Sequence, residues 1–206
     1  MKSTFLNMVL VLFVITAISA AAVGYVYGIT KEPIAQAKLQ KKLTALGDVL
    51  PSFDNQPTDE VETLQLDGMD INIYTAREND RVKGYAVESL TNSGFSGTIK
   101  IMVGFDTSGN IVNIEVLEQA ETPGLGAKLA DKENPVKMSF VGNNPANLNM
   151  AVKKDGGDID AITASTISSR AYVDAVARAY RALIEKGLLD GGTSWDGSTG
   201  ATSTNN

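Results

Sequence analysis

Three short stretches of this chain hold residues whose types and spacing suit chemistry. The first is Asp160-Ala-Ile-Thr-Ala-Ser-Thr-Ile-Ser-Ser-Arg170, a hydroxyl-rich run that leads into a long helical pattern. The first-turn N–H groups of a helix have no intrahelical partners, so hydroxyls placed there form a ready site for an anion such as phosphate. The helix dipole favours negative charge at that end, and Arg170, one turn further in, is a candidate partner for it. Ser and Thr are also the ordinary caps of helices, and on these residues alone capping is the commoner reading. The second stretch, Glu121-Thr-Pro-Gly-Leu-Gly126, is a loop with a fixed proline and two glycines. Gly124 and Gly126 allow either a tight turn or close approach of backbone to a ligand. Glu121 and Thr122 either hydrogen-bond that ligand or face water, and Leu125 is placed to pack on an apolar ring. The third stretch, Gly94-Phe-Ser-Gly97, sits at a strand entrance. The turn Asp155-Gly-Gly-Asp158, with Lys153 and Lys154 before it, either frames the same site or is a solvated charge run.

What the chain lacks narrows this chemistry further. Its 206 residues include no cysteine and no histidine. Disulfides, thiolate nucleophiles and cysteine-held iron–sulfur clusters are excluded. So are a Ser-His-Asp triad, histidine-ligated zinc and histidine-bound haem. Electron chemistry in such a protein needs an organic cofactor. With 18 basic and 24 acidic residues the net charge is −6, which argues against a nucleic-acid partner.

The elements that must position these residues divide the chain unevenly. Lys2 is the only charged residue among the first thirty, and 17 of the 20 residues from Met8 to Tyr27 are apolar. About 20 apolar residues span roughly 30 Å of hydrocarbon as a helix. The small residues of Ala17-Ile-Ser-Ala-Ala21 suit a signal-peptide cleavage site, but the apolar run continues past them through Val26, so residues 1–30 read as an uncleaved anchor. Lysines at 31, 38, 41 and 42 follow the span, and charge alone leaves its sidedness open. Residues 31–55 read as a connecting helix with Ile34, Leu39, Leu43, Leu46 and Leu50 at helical spacing and Pro33 in its first turn. Residues 56–190 read as one domain. Strand patterns run over Val61–Leu66, Ile71–Tyr74, Val82–Val87, Thr98–Gly104 and Ile111–Val116, with Asp106–Asn110 a hairpin turn, and a helix covers Ile167–Gly187. Residues 191–206, rich in Gly, Ser and Thr, read as a disordered tail. Gly124-Leu-Gly126 lacks the preceding strand and third glycine of a dinucleotide fingerprint. The fold class is α+β: a transmembrane helix, then a mixed, mainly antiparallel sheet with flanking helices.

Taken together and in this order, Gly94–Gly97, Glu121–Gly126 and Asp160–Ser168 resemble the FMN-binding domain shared by the G subunit of Rnf-type ion-translocating electron-transport complexes and the C subunit of the sodium-translocating NADH:quinone reductase. The resemblance extends over residues 1–190 and fits the former protein best. It implies FMN joined through its phosphate to a threonine hydroxyl by a separate flavin transferase. That enzyme reads an Asp, two free positions, Ser or Thr, Gly, Ala, then Ser or Thr, one free position, and Ser or Thr. Asp160, Thr163, Thr166 and Ser168 fall on its specified positions, which makes Thr166 the attachment residue. Ala164 and Ser165 stand where the family has Gly and Ala. Gln119-Ala120 stands where the family often has a histidine shortly before the Glu121 loop. The resemblance thus implies a cofactor site made of Glu121, Thr122, Gly124, Leu125, Gly126, Asp160, Thr163, Ser165, Thr166, Ile167 and Ser168. In the tail, Asp196–Thr204 fits the pattern in full with Thr202 at the acceptor position. Thr166 is preferred because a helix start offers phosphate a binding site that a free tail does not.

The resemblance further implies a single-pass protein of the cytoplasmic (inner) membrane with its domain on the extracytoplasmic side. It would relay electrons through covalent FMN inside a translocase that couples ferredoxin/NAD electron transfer to ion transport. Its partners would be the membrane and soluble subunits of that complex, together with the transferase during maturation, and it would not be active alone. The alternative is a non-catalytic anchored sensor or assembly domain without covalent flavin.

Overall fold

A computed structural model describes residues 5–189. Thr202, Trp195 and the expected tail at 191–206 lie outside the described residues. The chain divides after Lys42 into two compact units.

The first unit is the greater part of one helix, α1 (Phe5–Val49). Its N-terminal portion is long and apolar enough to cross a membrane, and none of the most apolar window is buried in protein. In hydrocarbon every polar group needs an internal partner. Thr16 and Thr30 comply by donating to the carbonyls of Leu12 (2.9 Å) and Val26 (2.8 Å). The sequence suggests two elements meeting near residue 30, but the helix runs on through Pro33. Proline removes only its own N–H bond, and the flanking Ala, Gln, Lys and Leu residues favour helix strongly enough to continue it.

In the second unit five strands form an antiparallel meander in sequential order: β1 (Val61–Leu66), β2 (Met69–Glu78), β3 (Arg81–Thr91), β4 (Ile99–Asp106) and β5 (Ile111–Glu118). All four ladders are antiparallel, and among the described residues parallel pairing is confined to an isolated bridge between Val152 and Ile159. The β4–β5 turn forms as its sequence requires. The Asp106 carboxylate accepts the N–H groups of Ser108 (2.8 Å) and Asn110 (2.9 Å).

Side chains alternate across the sheet, so each face needs its own cover. On one face Ile71, Ile73, Val87, Ile101, Val103 and Phe105 pack beneath α3 (Thr166–Glu185). Ala171, Ala175 and Ala179 on that helix let it lie close. The opposite face, with Tyr74, Ala76, Ala86 and Met102, is covered by Ala45, Leu46, Val49 and Leu50 from the end of α1 and the residue after it. Gly104 in β4 permits this approach: a Cβ there would lie 1.8 Å from the Val49 carbonyl oxygen.

Polar bonds fix α3 along β3. Ser89 donates to the Ala175 carbonyl (2.8 Å), Thr91 donates to Asp174 (2.7 Å), and Arg178 donates to both Asp174 (2.9 Å) and the Leu90 carbonyl (2.8 Å). Beyond the helix, Arg178 and Arg181 both hold Asp67. Burial opposes ionisation of Asp67, yet the two guanidiniums more than offset it and keep its carboxyl below the usual range. A short helix, α2 (Pro135–Phe140), packs against β5 and α3. These contacts determine where the first turn of α3 sits.

Candidate functional site

The three stretches singled out in the sequence, far apart along the chain, converge on one carboxylate. Glu121 follows β5 and is only 5 % exposed. Its Oε1 accepts the Ser96 N–H at 3.0 Å and its Oε2 accepts the Ser168 hydroxyl at 2.5 Å. Gln119 turns back to accept the Glu121 N–H at 2.6 Å. Both glycine stretches make room for this carboxylate. A Cβ on Gly94 would lie 2.8 Å from Glu121 Oε1, and one on Gly126 would lie 2.6 Å from Oε2 and from Ser168 Oγ. The Glu121 loop is closed by the Thr122 carbonyl, which accepts the N–H groups of Leu125 (3.1 Å) and Ala127 (3.2 Å), while Gly124 supplies the left-handed residue at φ +78°.

Around this junction opens a cleft of about 320 Å³. Glu121, Thr122, Leu125, Gly126, Ser165, Thr166, Ile167 and Ser168 line it, as do Phe95 and Ala164. Its rim is apolar, with Phe95 67 % exposed, Ile167 48 % and Leu125 42 %. Sequence reasoning marked the Gly94–Gly97 stretch but did not nominate Phe95. An aromatic residue flanked by small and polar ones was the available signal.

The hydroxyl run separates into distinct jobs. Ser169 donates to the Ser165 carbonyl (2.9 Å) and accepts the Ile162 N–H (3.0 Å), closing the turn that enters α3. Ser168 is committed to Glu121. Thr166, half-buried, lines the cleft, and among the described residues no other group engages its hydroxyl. Ser165 makes no side-chain capping bond, and the first helical bond runs from the Ser169 N–H to the Ser165 carbonyl at 3.0 Å. The N–H groups of Thr166, Ile167 and Ser168 are thus left for a ligand. Capping, the commoner role for such a run, is not what Ser165 does here.

Three nominated residues fall outside the cleft lining. Asp160 accepts Lys153 Nζ at 2.8 Å, and its N–H donates to Ser139 Oγ at 3.0 Å. Thr163 lines a separate cleft with Lys128, Asp131 and Asn134. Gly124 shapes the loop without lining it. Arg170 is likewise turned away, since Asp155 takes its Nε and Nη2 at 2.6 Å each. That guanidinium holds the Asp155 carboxyl below the usual carboxylate range, and the pairing raises Arg170 in turn. The Asp155 turn therefore braces the first turns of α3 and leaves the cleft alone. Among the described lining residues there is no Lys or Arg, and Glu121 carries the only charge.

Ala164 holds an unusual conformation at the cleft edge. Its φ is +61°, in the left-handed region that glycine adopts without steric cost. This is the position at which the resembled pattern carries glycine.

A 320 Å³ apolar-rimmed cleft beside free helix N–H groups and hydroxyls suits a planar ring that carries a phosphate. Comparison with known proteins agrees. Residues 94–181 match the model of the FMN-binding domain. Over 187 residues the chain is 36 % identical to the G subunit of the ion-translocating oxidoreductase complex of Aliivibrio fischeri, covering 84 % of this chain and 86 % of that one. The protein of the same name from Pseudomonas aeruginosa is 32 % identical over 190 residues, covering 87 % and 89 %. The G subunit of the Na(+)-translocating ferredoxin:NAD(+) oxidoreductase complex of Acetobacterium woodii is 33 % identical over 180 residues, covering 81 % and 86 %. With a membrane-length helix, an antiparallel FMN-binding domain and relatives aligned along most of their length, the chain belongs to the family of G subunits of ion-translocating oxidoreductase complexes.

Proposed function

We propose that this protein is the flavin-carrying relay of such a complex, with FMN esterified through its phosphate to the Thr166 hydroxyl. The observation that carries this reading is the unengaged Thr166 hydroxyl in a cleft with open helix N–H groups and no basic side chain. A phosphate bound only by neutral donors, with Glu121 nearby, is held weakly, so a covalent bond is what keeps the cofactor in place. Attachment requires an activated flavin donor supplied by a transferase. Thr166 Oγ bonds to the flavin-bearing phosphorus as the donor's phosphoanhydride breaks, the other half of the anhydride leaves as a phosphate monoester, and the hydroxyl proton passes to a base of that enzyme or to water.

Each cleft element then has a task. The N–H groups of Thr166, Ile167 and Ser168 stabilise the phosphate charge. Phe95, Leu125 and Ile167 provide apolar surface for the ring, and Gly126 keeps the backbone low beneath it. When bound, the flavin supplies the electron-carrying chemistry that no side chain here can perform. The domain lies on the extracytoplasmic face of the membrane, behind its anchor, and electrons pass through it between the other members of the complex. The complex couples ferredoxin/NAD electron transfer to ion translocation, the Acetobacterium woodii relative being named as a subunit of a Na(+)-translocating ferredoxin:NAD(+) oxidoreductase complex. This chain is inactive alone in that scheme.

Denaturing gel electrophoresis of the full chain co-expressed with a flavin transferase tests the attachment. A fluorescent band that disappears in Thr166→Ala, together with a fixed mass increment on the peptide containing Thr166, is the expected result. A band that survives Thr166→Ala and disappears in Thr202→Ala moves the attachment to the tail. Absence of any band favours the anchored sensor or assembly domain instead.

A further inference from the structure

Glu121 differs from every other cleft residue in that both its side-chain oxygens are already occupied, by the Ser96 N–H and the Ser168 hydroxyl. Each oxygen already accepts one neutral donor from the protein, so the carboxylate is held in place and presents its charge to whatever occupies the cleft. Both donors are neutral, the nearest described guanidinium on α3, Arg170, is spent on Asp155, and no basic side chain lines the cleft. The carboxylate is 5 % exposed, so water screens it poorly. Gly94 and Gly126 both leave room for it, and a methyl group at either would collide with one of its oxygens.

We propose that Glu121 is a positioning residue that clamps the Phe95 loop to the first turn of α3, and that its fixed negative charge holds the bound flavin at a low reduction potential. The inference rests on the cleft being the FMN site. Reduction adds electrons to the ring, and any electron not matched by a proton adds negative charge beside the buried carboxylate. That repulsion disfavours the reduced state. The Ser168 hydroxyl partly offsets the charge, because a hydrogen bond to a carboxylate draws density away from it.

The test is redox titration of the full-length flavin-loaded protein in detergent micelles, followed by absorbance. Glu121→Gln is isosteric, and its amide can still accept from Ser96 and donate to Ser168. The midpoint potential is expected to shift positive. Glu121→Asp keeps the charge and should stay near the wild-type value. Ser168→Ala removes a donor while keeping the carboxylate, so its midpoint should shift negative. A Gln variant that retains flavin at the wild-type midpoint overturns the proposal, as does an Asp variant shifted as far positive as Gln. Should the Gln variant fail to fold or load, the Ser168→Ala arm decides, and no negative shift there overturns it. A wild type that binds FMN reversibly overturns attachment at Thr166 while leaving the Glu121 comparison readable. A wild type that takes no FMN in either way overturns both.

Discussion

Ala164 offers a sharp test of how the cleft edge is built, because its strain and its exposure pull in a single direction. The residue sits at φ +61°, where a Cβ crowds the following carbonyl at a cost of about 1–2 kcal/mol. Its side chain is exposed, so deleting the methyl group sacrifices little burial. Ala164→Gly removes the strain but makes the unfolded chain more flexible, which costs about 0.4–1 kcal/mol. The difference leaves the glycine variant more stable by roughly 0.5–1 kcal/mol. For a chain of this size that corresponds to a rise in Tm of about 1–4 °C. Thermal unfolding of the full-length protein in one detergent, monitored by circular dichroism, resolves such a shift. Ala164→Val should move the opposite way and further, since a β-branched residue is poorly accommodated at positive φ. A glycine variant equal to or less stable than wild type refutes the argument, because it would mean the strain at Ala164 is no larger than the freedom that glycine adds to the unfolded chain. Flavin loading should persist in the glycine variant, as Thr166 and the helix N–H groups are untouched.

Three further perturbations probe the elements that place the cleft. Gly104→Ala puts a Cβ 1.8 Å from the Val49 carbonyl oxygen, so the end of α1 must move, and a loss of about 2–3 kcal/mol in denaturant unfolding is expected. Asp174→Ala removes the buried partner of Thr91 and Arg178 and leaves that guanidinium with Asp67 and the Leu90 carbonyl only. The expected cost is about 1.5–3 kcal/mol, read in the same assay. Asp155 has a folded pKa below its unfolded value, so its pairing with Arg170 contributes fully above about pH 4 and is lost as pH falls through the depressed folded value. Asp155→Asn should therefore be less stable at pH 7, and melting profiles should show a smaller loss of stability for it than for wild type on acidification below that point.

Much of the architecture was legible because local chemistry enforces it. Alternating apolar residues produced the strands from Val61 to Val116, with the longer ones extended by two to four residues at their ends. Asp106-Thr-Ser-Gly-Asn110 produced the β4–β5 turn because an Asp carboxylate caps such a turn wherever it occurs. The continuity of α1 through Pro33 was less legible. A proline at the start of a helix and one inside a longer helix leave the same local trace in sequence.

The sequence alone determined the chemistry available to this protein: no thiolate, no imidazole, one membrane-length apolar run, and a run of hydroxyls at the entrance to a long helix. Tertiary structure alone decided which nominated residues meet. It drew Ser168 and Ser169 inward, left Thr166 unengaged, turned Asp160 toward Lys153 and tied Arg170 to Asp155. It also brought Phe95 to the rim and placed Glu121 where three distant stretches share one carboxylate. The physical reason is that the partners of Glu121, 25 and 47 residues away, are brought to it by the β3–β4 connection and by the packing of α3 on the sheet. Residue type and spacing encode the donors and acceptors, but packing chooses which of them pair and which remain unengaged.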